Sequence, residues 1–117
     1  MLLAINRLRK TTEIDRVWKR GRSFFLPVLQ IKSLPNTLGI IRCAVVVGTK
    51  VSKRAVVRNK IRRRIREVMR LVMPRLTGSV DMIISTKKGA EKLTYAEIEK
   101  QLHETLTKMH LLPSEKK

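Results

Sequence analysis

"KVSKRAVVRNKIRRRIREVMR", Lys50 to Arg70, sets ten Lys or Arg residues and one Glu within 21 positions that also carry a helical apolar pattern. Val57, Ile61, Ile65, Val68 and Val72 recur at spacings of three and four, which at about 100° per residue places them within an arc of about 80°. Arg62, Arg66 and Arg70, with Asn59 and Arg63, fall on the opposite side. One face of such a helix belongs to a core. The other holds like charges close enough to repel, so a partner outside the chain is expected to supply the negative charge. Ser52 is placed to cap this helix, and Pro74 to end it near Val72.

On the N-terminal side, "IIRCAVVVG" is a nearly continuous β-branched run that reads as a central strand, and "LPNTLG" before it supplies a turn. "FFLPVLQIKS" alternates Val28, Gln30 and Lys32 against Leu29 and Ile31, which predicts a strand beginning near Pro27 and exposed on one side. Earlier still, Ile14, Val17 and Trp18 mark a short helix that opens on a weak capping box, Thr12 with Asp15, and stops at Gly21. On the C-terminal side, "SVDMIIST" reads as a third strand and "KKGAEKL" as a basic loop. A final helix opens on a capping box, Thr94 with Glu97, and carries Ile98, Leu102, Leu106 and Met109 on one face. The order α-β-β-α-β-α suggests an α+β sandwich, one small sheet covered by helices. Residues 1–117 are expected to form a single domain, with a flexible arm over about 1–8 and a loose tail over about 113–117.

The 27 basic side chains stand against 9 acidic ones, a formal charge of +18, while 43% hydrophobic residues argue for a folded chain. A folded domain this basic faces a polyanion, nucleic acid ahead of membrane or acidic protein. Cys43, the lone cysteine, lies in an apolar run and reads as a small buried hydrophobe. The start of the chain lacks the order of a secretory signal, and no apolar run is long enough for a membrane span, so a cytoplasmic location is expected.

Catalytic and metal-binding residues are expected to be absent. His103 and His110 lack a ligand-spaced neighbour, Asp81 suits a salt bridge or a backbone cap, and Glu97, Glu99 and Glu104 suit a solvated helix face. The glycines fit neither phosphate-loop nor dinucleotide spacing. The arginines are more informative. Arg58, Arg62, Arg66 and Arg70 repeat every four residues, a ridge of planar donor forks suited to phosphate oxygens, with Asn59 beside it. Arg64, nearer the apolar edge, is placed to lay its stem over the core. Trp18, Phe24 and Phe25 are either core or the wall of a shallow trough for unstacked nucleotides beside the open side of Val28 to Lys32. Strands flank the basic helix, which suits an irregular RNA surface better than a helix-turn-helix reader of DNA.

"AVVRNKIRRRIRE", Ala55 to Glu67, resembles the signature of the protein subunit of bacterial ribonuclease P, with Ala55, Val56, Arg58, Asn59, Arg62, Arg63, Arg66 and Glu67 in step. "NRLRK", the pattern through Gly21, "DMII" and "LTYAEIEKQL" extend the likeness over about residues 6–112. The resemblance implies a small mixed-sheet two-layer sandwich with a left-handed crossover. It implies binding of a catalytic RNA subunit, and of the single-stranded 5′ leader of precursor tRNA in a cleft between the sheet and the first helix. RNA-binding positions are then expected at Arg9, Lys10, Lys50, Lys53, Arg54, Arg58, Asn59, Arg62, Arg63, Arg66 and Arg70. Leader-cleft positions are expected at Ile14, Trp18, Leu29 and Ile31. Mg²⁺ would be held mainly by the RNA, with no organic cofactor and no obligate protein partner. The chain departs from the family pattern over Thr49 to Lys53, where it has one Lys fewer and no Gly, and has Ile14 and Leu29 where aromatic residues are common. A structural RNA-binding protein, such as a ribosomal component, and a protein-only nuclease are the competing readings.

Overall fold

The computed structural model describes residues 6–113. Helix α1 spans Thr11–Arg20, and strands β1, β2 and β3 span Arg22–Phe25, Leu29–Pro35 and Ile41–Val46. Helix α2 covers Ala55–Val72, strand β4 Val80–Thr86, and helix α3 Tyr95–Lys108, with short 3-10 turns at Met73–Arg75 and Ala90–Lys92. The sheet runs β1-β2-β4-β3. Its first two pairings are antiparallel, and β3 lies parallel to β4 with α2 as the connection between them.

Strand alternation divides the side chains between two layers. Leu29 and Ile31 of β2, Ile41 and Cys43 of β3, and Met82 and Ile84 of β4 join Ile61, Ile65, Val68, Met69 and Val72 of α2 and Ile98, Leu102 and Leu106 of α3 in the main core. The other face carries a smaller cluster, Leu8, Val17 and Ile83, against which Ile14, Trp18, Leu34 and Ala44 pack. At about 25 cal/mol per Å² of buried apolar surface, the main core dominates folding and the small cluster seats α1. The α+β sandwich expected from the order of elements, with the mixed sheet that the resemblance implies, is the architecture found.

Several local expectations change. The strand expected to begin near Pro27 is found as β2 from Leu29, but Arg22–Phe25 ahead of it forms a further strand, with Pro27, which has no N–H for a ladder, in the turn between them. Leu26 N–H closes that turn on the Leu29 carbonyl at 2.9 Å, so β1 is an additional, fourth strand. Thr12 is inside α1, whose N-cap Lys10 gives no side-chain cap. Ser52 lies short of α2: its Oγ accepts from Arg54 N–H at 3.1 Å, and Arg54 is the N-cap, again without a side-chain bond. The capping box of α3 forms as expected, Thr94 Oγ1 accepting from Glu97 N–H and the Glu97 carboxylate from Thr94 N–H. Gly21 ends α1 by close approach, since a Cβ there would meet the Val17 carbonyl oxygen at 2.5 Å. Of the arm expected over 1–8, residues 1–5 lie outside the described part, but Asn6 to Leu8 are docked: Asn6 donates to the Ile41 carbonyl at 2.8 Å, Arg7 bridges Cys43 and Leu8 is buried. Residues 114–117 of the expected tail also lie outside the described part, and Pro113 is exposed.

Candidate nucleic-acid interface

The face of the sheet that bears α1 is only partly covered. The helix is held there by polar contacts as well as by its small apolar cluster. Arg42 donates two bonds of 2.8 Å to Asp81 and two of 3.3 Å to Glu13 of α1. The Asp81 hydrogen bonds, followed by those of Glu13, raise the Arg42 pKa against the opposing effect of burial. Lys32 donates to the Trp18 carbonyl at 2.6 Å. Beside α1, the strand register aligns Phe25, Gln30, Ser85 and Val46 in one row across the four strands. Phe25 is 69% exposed and Val46 37%, so the row is an open trough with apolar ends and hydrogen-bonding groups between them.

Ile14 and Trp18 project from α1 into this layer, as the trough reading requires, and both are half-buried. Leu29 and Ile31 do not line it. Both are 0% exposed in the main core beneath α2 and α3, because the apolar side of β2 is the covered side. Their neighbours Gln30 and Lys32 carry the side chains on the α1 face. The alternation was visible in the sequence, but the open side is the polar one. Phe24 packs against the main core and Phe25 points the other way, so the two phenylalanines separate into one core residue and one trough residue.

The trough adjoins a basic wall. Arg9 and Arg66 share the lining of a cavity of about 360 Å³ with Arg7, Ile14, Cys43 and Val46. Arg7 was not among the expected site positions, and its place follows from the β-bridge to Cys43. Lys10 is exposed at the start of α1. Lys50, Lys53 and Arg54 are exposed around the start of α2, whose first turn contains no acidic residue, so the positive end of the helix dipole adds to theirs.

The arginine ridge is less uniform than its spacing suggests. Arg58 donates to the Ser52 carbonyl at 3.0 Å, Arg62 to Asn59 Oδ1, and Arg70 pairs with Glu67 at 2.7 Å. The Arg70 hydrogen bond holds the Glu67 carboxyl below its ordinary range. Arg63 and Arg66 are exposed and hydrogen-bond to no described residue. Arg64 donates to the Leu93 carbonyl at 2.8 Å and tethers α2 to the loop before α3. Asp81 is engaged by Arg42 and by Asn36 Nδ2 at 2.8 Å, a structural role. Among the described residues, no three His, Cys, Asp or Glu side chains are grouped to hold a metal ion, and no helix is long and apolar enough to cross a membrane.

A small α+β sandwich that joins a cation-rich helix and a half-covered sheet face on one side is the class of protein these features define. A ribonuclease P family model matches residues 2–110, and the chain belongs to that family. A ribonuclease P protein component from Streptococcus pneumoniae is 35% identical over 99 residues, 82% of this chain and 77% of that protein. One from Chloroflexus aurantiacus is 41% identical over 81 residues, 69% of this chain but only 59% of that protein's length. A solved ribonuclease P protein from Staphylococcus aureus superposes with a TM-score of 0.82 at 25% identity, covering 92% of this chain and 98% of the other. The Thermotoga maritima protein, at 22% identity and a TM-score of 0.79, covers 87% and 96% and shows the same fold.

Proposed function

We propose that this chain is the protein subunit of ribonuclease P, binding the catalytic RNA subunit and the 5′ leader of precursor tRNA to assist endonucleolytic maturation of the tRNA 5′ end. The observation that carries the reading is the meeting of the open sheet row with the arginine wall at Val46, on a chain of this family. Arg63, Arg66, Arg9 and Lys10, with Lys50, Lys53 and Arg54 at the start of α2, offer donors and positive charge to phosphate. Arg58, Asn59, Arg62 and Arg70 retain donors beyond those used within the chain. Ile14, Trp18, Phe25, Gln30 and Lys32 form the surface for unstacked leader nucleotides, replacing the set that contained Leu29 and Ile31.

Asp81 and Glu13 are both committed to Arg42, so neither is offered to Mg²⁺. Mg²⁺ held mainly by RNA phosphates would supply activation of water and stabilisation of the leaving oxygen. The protein's part is to neutralise RNA charge locally and to bind precursor more tightly than product through the leader. The work is cytoplasmic and requires no organic cofactor or further protein. Cleavage of end-labelled precursor tRNA at low Mg²⁺ tests the reading with protein alone, a bacterial catalytic RNA alone, and both together. Efficient cutting at the mature 5′ end only by the combination is expected. Equal cutting by the RNA with and without the protein would overturn it.

A further inference from the structure

The two edges of the sheet differ. The outer edge of β3 is taken by the N-terminal segment, where Leu8 N–H donates to the Cys43 carbonyl at 2.9 Å and Arg7 bridges Cys43. Among the described residues, nothing plays that part along β1. Leu26 N–H donates to the Leu29 carbonyl, and bonded and non-bonded partners alternate along an antiparallel ladder, so Phe24 with Ile31 and Arg22 with Ser33 exchange the inward bonds. Ser23 and Phe25 therefore turn their N–H and C=O groups away from β2, toward an open edge. On the core side of that edge, Arg22, Phe24, Pro35, Val80, Met109 and Leu111 line a groove of about 170 Å³. Lys19, Arg20 and Arg22 are exposed around the start of the strand, and no acidic residue occurs from Lys19 to Pro35. A short, charged edge strand is an ordinary guard against pairing between sheets. Here the Arg22 guanidinium instead lies 5.2 Å from the centre of the Phe24 ring, toward the groove rather than across the backbone edge.

We propose that this edge docks an acidic, extended segment of another protein, which adds a further strand beside β1. An added strand supplies both donors and acceptors to Ser23 and Phe25, inserts an apolar side chain into the groove, and sets carboxylates against Lys19, Arg20 and Arg22. RNA fits the edge less well, because phosphates only accept and leave the two outward carbonyls without donors. A second copy of the chain also fits less well, since each copy carries a formal charge of +18. The arginine wall lies beside β3, at the other edge of the sheet, so the docked segment and the RNA subunit do not compete. Docking is not needed for cleavage.

The test is fluorescence anisotropy with the full chain and a short labelled peptide of alternating Glu and Leu, compared with a peptide of the same composition whose Glu residues are grouped at one end. The alternating peptide is expected to bind about 10-fold more tightly, the margin that backbone bonds and a filled groove add to bare charge attraction. Ser23→Pro removes an outward N–H while sparing the inward ladder, a place where an edge strand tolerates proline. Arg22→Glu reverses the charge beside the groove. Each variant should weaken the alternating peptide about 10-fold with thermal unfolding unchanged. Should Ser23→Pro fail to fold, Arg22→Glu still decides. Equal binding of the two peptides, or undiminished binding in either folded variant, overturns the proposal. So does a dimer in sedimentation that Ser23→Pro abolishes, which gives the edge to a second copy. Displacement of the peptide by oligouridylate, with both variants losing affinity for that RNA, gives the edge to RNA and overturns it as well.

Discussion

Cys43 shows what position alone does to a reactive group. The residue is among those lining the cavity that Arg66 also lines, yet it is buried, and burial pushes its thiol pKa up to about 12 from an ordinary 9.0 against a smaller opposing pull from the Arg66 charge. The folded state therefore keeps a proton that the unfolded state releases. The resulting stabilisation is fully present below pH 9 and is lost as pH rises toward 12. At pH 8 the folded protein should react with iodoacetamide far more slowly than the urea-unfolded chain, because the thiolate is scarce and inaccessible. Equal rates would place Cys43 in solvent. Its apolar neighbours made this burial legible in the sequence. The positions of Leu29 and Ile31 were legible too, as one side of an alternating strand, but alternation separates two faces without saying which a helix will cover.

Helix α1 depends on a small apolar cluster and on one shared cation. Arg42 is 15% exposed and joins Glu13 of α1 to Asp81 of β4. Arg42→Ala should cost about 3 kcal/mol in urea unfolding, much of it from leaving Asp81 buried with only Asn36 as a partner. It should also increase hydrogen exchange selectively in α1, because α2 and α3 rest on the separate main core. Uniform loosening of all helices would show that α1 is not a separately held element. Arg42 looked unremarkable in a β-branched run, since its partners lie 29 and 39 residues away. Helix existence was legible from periodicity, whereas β1, a four-residue strand ahead of the one expected from Pro27, was hidden by its brevity. The caps placed on Thr12 and Ser52 failed because propensity marks a residue able to cap, while the first helical turn is set by where the flanking chain is anchored.

Across the molecule, the charge of +18 announced a polyanion, but its focus depends on topology. The N-terminal segment adds to the outer edge of β3 through the Arg7 to Cys43 bridge, and that addition carries Arg9 to the cavity wall opposite Arg66 of α2. No local pattern joins residues so far apart in sequence. The ion pair and hydrogen bonds of Arg58, Arg62 and Arg70, with the Arg64 tether, narrow the unengaged arginines of α2 to Arg63 and Arg66, whose planar forks should contribute more to RNA affinity than the likewise exposed Lys60. The double substitution Arg63→Ala, Arg66→Ala should weaken binding of the catalytic RNA subunit. If each arginine meets one phosphate, the plot of log affinity against log salt should become shallower by about 1.4 to 1.8, at about 0.7 to 0.9 per contact. Folding stability should change by less than about 0.5 kcal/mol, since both side chains are exposed and their mutual repulsion is relieved. A weaker complex with an unchanged slope would place the loss outside phosphate contact. An unchanged complex would move the RNA away from this face of α2.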